Sequence, residues 1–235
     1  MTSQLLSRSA LPLDRQEQML ALLDAHFSGV SRGQFLRDLD EKNWIILLID
    51  SENRLRGFST LLFYERVWNG ERLGVVCSGD TVVEVGARNS PLLSRAWIDA
   101  VNRLSRQSGR EKVFWLLLTS GFRTYRFLPV FWREFWPRPN SRTPPEMQHL
   151  LDALARDRFG EAFDANAGIV RFSAPQRLRG SLVDVPAGRL RNPHIAFFTE
   201  RNPGWRSGDE LVCLCELSET NLTRAGRRMT HPPRC

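Results

Sequence analysis

Residues 74–104 restrict the fold of this chain more than any other stretch. An apolar strand, interrupted by Ser78, Gly79 and Asp80, runs through a short loop into a helix that opens at Asn89-Ser90-Pro91. A strand–loop–helix joint leaves backbone N–H groups unpaired at the helix start, where they can hold a phosphate or another anion. Arg88 and Arg95 flank that point and add cationic donors. The helix carries Leu93, Ala96, Trp97, Ala100, Val101 and Leu104 at helical spacing. Ser90 is placed to cap it, Pro91 suits its first turn and Gly109 stops it. Residues 113–118 are almost wholly apolar, as expected of a strand covered on both faces. A strand joined to its neighbour through a helix implies parallel pairing at that point.

The remaining segments build around this unit. Residues 14–27 form an amphipathic helix, and Ser31 caps a second one that runs to about Lys42. Strands follow at 44–50, 55–68 and 72–84, the last two joined through Asn69-Gly70, where both residues tolerate positive φ. Residues 123–136 read as an unusually aromatic helix with Phe127, Phe131, Trp132, Phe135 and Trp136, started or kinked at Pro129. Prolines at 137, 139, 144 and 145 mark a linker or long loop, and 146–159 is another helix. Residues 168–172 form a short strand, and 176–191 is a polar connection. Segments 194–199 and 210–217 read as a closing strand hairpin, and 218–229 as a last short helix. The expected architecture is α/β: a mixed, mostly antiparallel sheet of six or seven strands flanked by helices. Residues 1–13 are read as a tail, 14–138 as the core, and 139–235 as an elaboration completing the same domain.

Composition excludes several classes. No run of about 18 apolar residues exists, so no membrane partner is expected. The first residues lack a basic start followed by an apolar region, which points to a soluble cytoplasmic protein. The formal charge of +7 comes almost wholly from arginine, because only Lys42 and Lys112 are lysines. These arginines are spread along the chain without a nucleic-acid reader motif, so nucleic acid is not the expected main partner. An acidic carrier protein or a phosphorylated cofactor would use the same field. Cys213 and Cys215 share one face of a strand but lack a second ligand pair, Cys77 and Cys235 stand apart, and no metal is expected. His26, His149, His194 and His231 are scattered, and no Ser-His-Asp arrangement or phosphate-binding glycine loop is present.

Two helices, a three-strand meander, a crossover helix, a central strand, a helix and late closing strands: this order resembles the GNAT acyltransferase superfamily (GCN-five-related N-acetyltransferases), best over residues 14–136. The resemblance implies that the strand before the loop splays from its neighbour and pairs through its backbone with pantetheine. Cys77 to Val83, including Val82, would then lie along the pantetheine, and Arg88, Asn89 and Ser90 along the phosphates of coenzyme A. Thr119 and Ser120, at the end of the central strand, are placed either to bind a pantetheine amide or to cap the following turn. The family's loop reads Gln/Arg-x-x-Gly-x-Gly/Ala. Here it is Arg88-Asn89-Ser90-Pro91-Leu92-Leu93, without glycine, and Pro91 removes an N–H donor. The chain therefore resembles a divergent member: coenzyme A binds differently, the acyl group arrives on an acyl-carrier protein, or catalysis has been lost.

Moving an acyl group from a thioester to an amine needs a base, an oxyanion donor and an acid for the departing thiolate. Asp80 and Glu84 lie where the family often places its carboxylate, and their spacing puts both on one strand face. Each is a candidate base, with Asp80 closing a Ser-Gly-Asp bulge and Glu84 facing solvent as the bland alternatives. Tyr125 stands close to where related enzymes use a tyrosine as the acid; the alternative is a packed ring. The leading expectation is an N-acyltransferase using acyl-CoA or carrier-bound acyl-pantetheine, with a small amine as acceptor. A non-catalytic binding protein of the same fold and an arginine-driven nucleic-acid binder are the rivals, and a homodimer is left open.

Overall fold

In a computed structural model, residues 1–88 and 90–230 are described. Among the described residues ten strands form in chain order: β1 (Thr2–Ser7), β2 (Phe27–Ser28), β3 (Trp44–Ile49), β4 (Leu55–Trp68), β5 (Glu71–Val83), β6 (Val113–Thr119), β7 (Phe163–Asp164), β8 (Ile169–Val170), β9 (Arg177–Leu178) and β10 (Glu210–Glu216). Eight of them make one sheet in the order β1-β3-β4-β5-β6-β10-β8-β7, while β2 and β9 pair separately. The sheet is antiparallel except where β5 runs parallel to β6. The β4–β5 hairpin turns through Asn69 at φ 49° and Gly70 at φ 81°, the positive values that the sequence pair suggests.

Among the described residues eight α-helices accompany the sheet: α1 (Leu13–His26), α2 (Arg32–Asp40), α3 (Leu92–Ser108), α4 (Phe122–Tyr125), α5 (Phe127–Phe131), α6 (Pro145–Phe159), α7 (Pro193–Arg201) and α8 (Arg224–Thr230). Side chains alternate between the two faces of each strand. On one face Val76, Trp115, Leu117, Leu211 and Cys213 pack with Trp97 and Val101 of α3, Phe131 of α5 and Phe198 of α7. On the other, Val75, Cys77, Leu116, Val212 and Leu214 pack with Leu150, Leu151 and Leu154 of α6. Farther along that second face, Ile45, Leu47, Phe58 and Val82 pack with Met19 and Leu23 of α1 and Phe35 and Leu39 of α2. The Ser31 hydroxyl accepts from the Gln34 N–H at the start of α2, and Gly109 ends α3 at φ 64°.

Four sequence expectations need correction. The segment 1–13, read as a tail, supplies β1, which pairs with β3 from Thr2 opposite Ile49 to Ser7 opposite Trp44. With it the sheet has eight strands, more than the six or seven expected. The helix expected over 123–136 is two short ones, and the chain is extended from Trp132 onward. Tertiary bonds account for this: Asn221 accepts from the Glu134 N–H at 2.8 Å and donates to the Glu134 carbonyl at 2.9 Å. The strand expected at 194–199 belongs to helix α7, where Pro193 takes the first turn and the Asn192 side chain caps the His194 N–H. Ile195 and Phe198, three apart, are its buried residues, a helical spacing hidden inside a short apolar run.

Candidate active site

The strand pair at the centre opens partway along. β5 and β6 pair from Gly74 opposite Val113 to Ser78 opposite Leu117, and then part. The indole N–H of Trp115 donates to Ser78 Oγ at 2.9 Å, holding the last paired residue in place. On its other side β5 stays bonded to β4, with Leu61 opposite Ser78 and Ser59 opposite Thr81. Gly79 and Asp80 thus oppose the single residue Thr60, a β-bulge that aims both toward the α1/α2 side. A Cβ on residue 79 would lie 2.5 Å from Thr60 Oγ1 and 2.6 Å from Lys42 Cε, so the bulge requires glycine.

Asp80 is half-buried. Among the described residues its carboxylate has no hydrogen-bond or ion-pair partner. Burial pushes its pKa up to about 6; the Lys42 charge pulls the other way and Asp38 adds to the rise. Lys42 is itself lowered, first by burial and then by Arg158 of α6. Thr60 is 2 % exposed and its hydroxyl lacks a partner. Across the end of β6 stands Glu210, the first residue of β10, opposite Val170 and in line with the inward-facing Val212 and Leu214. Burial, and then the Asp80 charge, push the Glu210 pKa up to about 8. The structure thus places two unpaired carboxylates on one sheet face, on either side of Leu118 and Ser120. Sequence reasoning missed Glu210; the available signal was a lone carboxylate opening an otherwise apolar strand on the face of Val212 and Leu214.

The other predicted residues are scattered around this opening. Glu84 ends its strand in an ion pair with Arg56 Nε at 2.8 Å. Cys77 is still paired on both sides, to Leu62 and Leu116, and its thiol is buried and pushed up to about 11. The free strand edge therefore begins after Ser78, two residues beyond the expected start. Val82 is packed into the core under α1 and α2, whereas Val83 is half-buried and its carbonyl accepts from Arg88 Nε at 3.0 Å. Ser90 Oγ accepts from the Leu92 N–H at 3.2 Å, but the residue that caps α3 is Pro91, whose carbonyl accepts from the Arg95 N–H, so Ser90 closes a turn one residue before the position expected of it. Asn89 lies outside the described residues, as do His231 and Cys235. The Thr119 hydroxyl is buried and donates to the Leu211 carbonyl at 3.0 Å, while Ser120 is half-buried at the strand end. Arg88 and Arg189 both stand near Arg123 of α4, whose pKa falls through burial and then through their charges. That cationic group lies next to the start of α3, where the usual glycines are missing.

Tyr125 is fully buried. Its hydroxyl donates to the Pro137 carbonyl at 2.9 Å, and its ring lies among Phe135, Phe197 and Phe198. Burial drives its pKa far above the ordinary phenol value. A hydroxyl committed to a carbonyl inside an aromatic cluster is a packing device. Tyr125→Phe is expected to cost about 1 kcal/mol of stability through the lost bond. Turnover should stay within a factor of two or so, since the ring remains; chemical denaturation and steady-state rates check both.

No group of three or more His, Cys, Asp or Glu able to hold a metal occurs among the described residues, and no described helix is long and apolar enough to cross a membrane.

No family model matches this sequence, and no curated protein matches it. Solved structures do. A probable N-acyltransferase from Enterococcus faecalis matches with 12% identity and a TM-score of 0.43, over 92% of this chain and 66% of that one. A GNAT family N-acetyltransferase from Escherichia coli in complex with CoA matches with 19% identity and a TM-score of 0.38, over 49% and 63%. An aminoglycoside acetyltransferase from an uncultured soil metagenomic sample, in complex with sisomicin, matches with 21% identity and a TM-score of 0.36, over 48% and 75%. The fold is a mixed, mostly antiparallel, GNAT-like sheet on the evidence of its own connections: an antiparallel meander, a crossover helix, and a parallel pair that opens.

Proposed function

We propose that this protein is a GNAT-type N-acyltransferase, moving an acyl group from a thioester to a small amine. One observation carries the reading: β5 leaves β6 after Ser78, and an unpaired, half-buried carboxylate stands at the point of parting. The donor is acyl-CoA or carrier-bound acyl-pantetheine. Beyond Ser78 the edge of β5 turned toward β6 has no strand partner, so its N–H and C=O groups suit the amides of pantetheine. Arg88, Arg123 and Arg189 supply the positive field for the donor's phosphates or for an acidic carrier, a duty that glycines and a helix N-terminus perform in the usual loop.

In the transfer the amine nitrogen forms the new C–N bond and the C–S bond breaks. Asp80, ionised above its pKa, takes the N–H proton directly or through a water, and the departing thiolate takes a proton from solvent at the mouth. Activity should therefore rise with pH through about 6, where Asp80 loses its proton. Lys42 holds that pKa down, so Lys42→Met should move this acid limb to higher pH while the rate on the plateau changes less; a pH–rate profile of both proteins checks it. The experiment for the whole reading is mass-spectrometric detection of amide product from acyl-CoA and acyl-pantetheine with a panel of primary amines. Donor binding without product from any amine supports a non-catalytic binding protein, and tight, salt-sensitive duplex binding without donor binding supports a nucleic-acid binder.

A further inference from the structure

We propose that Asp80 and Glu210 form a two-carboxylate seat for a doubly cationic acceptor, an α,ω-diamine or polyamine. Asp80 stands at the nitrogen that is acylated and Glu210 at the distal ammonium. The proposal rests on the acyl-transfer reading for its chemistry, but its test does not.

Glu210 sits directly opposite Val170, and Leu211 opposite Thr119, which fixes Glu210 on the α6 face beside the end of β6. Asp80 lies on the same face at the opposite side of β6, because the bulge turns it toward Lys42 and Val82 faces the same way. β6 lies between them, so their backbones are at least two strand spacings apart, about 10 Å, and more where β5 has left β6. That span fits two amines joined by roughly four to seven carbon or nitrogen atoms. Between them the floor is Leu118, whose half-buried apolar side chain suits a hydrocarbon spacer, with Ser120 beside it.

Charge supports the same occupant. Among the described residues neither carboxylate has an ion-pair or hydrogen-bond partner, although the sheet around them is otherwise well paired. A half-buried carboxylate without a partner is costly, and a ligand cation is what it lacks. The charged groups around Asp80 are Lys42, from the α2–β3 connection, and Asp38 of α2; Arg158 of α6 stands behind Lys42 and is ion-paired with Glu41. Around Glu210 the one charged neighbour that perturbs it is Asp80. Lys42 offsets part of the Asp80 charge, whereas no cation stands beside Glu210 to favour its ionised form. The unpartnered Thr60 hydroxyl, nine-tenths buried at the bulge, is a further polar atom beside the reacting nitrogen. Glu210 holds its proton near neutrality, so a cation arriving there should displace it.

Calorimetry without any donor tests this, using 1,6-diaminohexane, spermidine and 1-aminohexane at pH 7 in buffers of different ionisation enthalpy. The expected result is at least 10-fold tighter binding of the diamines than of the monoamine, with about one proton released per diamine. In Glu210→Gln, a near-isosteric change, the preference and the proton release should both vanish while the monoamine binds as before; Glu210→Leu should behave likewise, and circular dichroism confirms that each variant is folded. Retention of the preference in Glu210→Gln would overturn the proposal, as would absence of diamine binding at millimolar concentration. Amide formation from a monoamine in such a protein would leave the acyl-transfer reading standing and remove only the diamine.

Discussion

Asp80→Asn should lower amine-dependent acyl transfer by about 10²-fold or more, the scale on which a positioned general base contributes. The substitution keeps the size and shape of the side chain, so donor affinity should change little. It should also leave the protein at least as stable, because burial disfavours the charged form of Asp80 and the amide carries no charge. The combination separates a base from a structural group. A structural Asp80 would lose stability and keep its rate. Measuring turnover, donor affinity and the thermal midpoint of one variant decides between them.

Trp115→Ala should have the largest effect on stability. Trp115 is 3 % exposed at the centre of β6, its ring 4.1 Å from that of Trp97 and 5.3 Å from that of Trp132 between centroids. Truncating such a side chain leaves a cavity that α3 and α5 cannot both close, at a cost of about 3–5 kcal/mol. Trp115→Phe is the informative control. It retains most of the packing and loses the indole bond to Ser78, for about 1 kcal/mol. That bond holds the last pair before the strands part. The Phe variant is therefore expected to lose more activity than its small stability loss explains, whereas a purely structural Trp115 predicts activity that follows stability. Equilibrium denaturation alongside steady-state rates distinguishes the two.

What could be read from the sequence was local. The meander with its Asn69-Gly70 turn, the helix that opens beside Pro91 and is stopped by Gly109, and the apolar central strand each rest on neighbouring residues. Parallel pairing of β5 with β6 followed from the crossover helix alone. What was misread depends on partners distant in the chain. β1 is a short Thr-Ser-Gln-Leu-Leu-Ser strand that forms because β3 offers it an edge. The aromatic segment after Phe131 extends because Asn221, 87 residues away from Glu134, takes both of its backbone groups. At the site the same division holds. The bulge at Asp80 was legible from its Ser-Gly-Asp context, whereas the place of Glu210 on the same sheet face depends on the β6–β10 register. Tyr125 had the right position along the chain, and the direction of its hydroxyl is set by Pro137, which spacing alone does not reveal.

On the proposed function, the opening between β5 and β6 seats a pantetheine thioester beside Asp80. Hydrogen–deuterium exchange of the protein with and without coenzyme A or acyl-pantetheine tests it most directly, because the amides of residues 79–83 and 118–121 border the opening. Slowed exchange concentrated in those two segments, with smaller changes around Arg88 and the start of α3, is the predicted result. Unchanged exchange there in protein saturated with donor, with protection appearing elsewhere, would contradict the account.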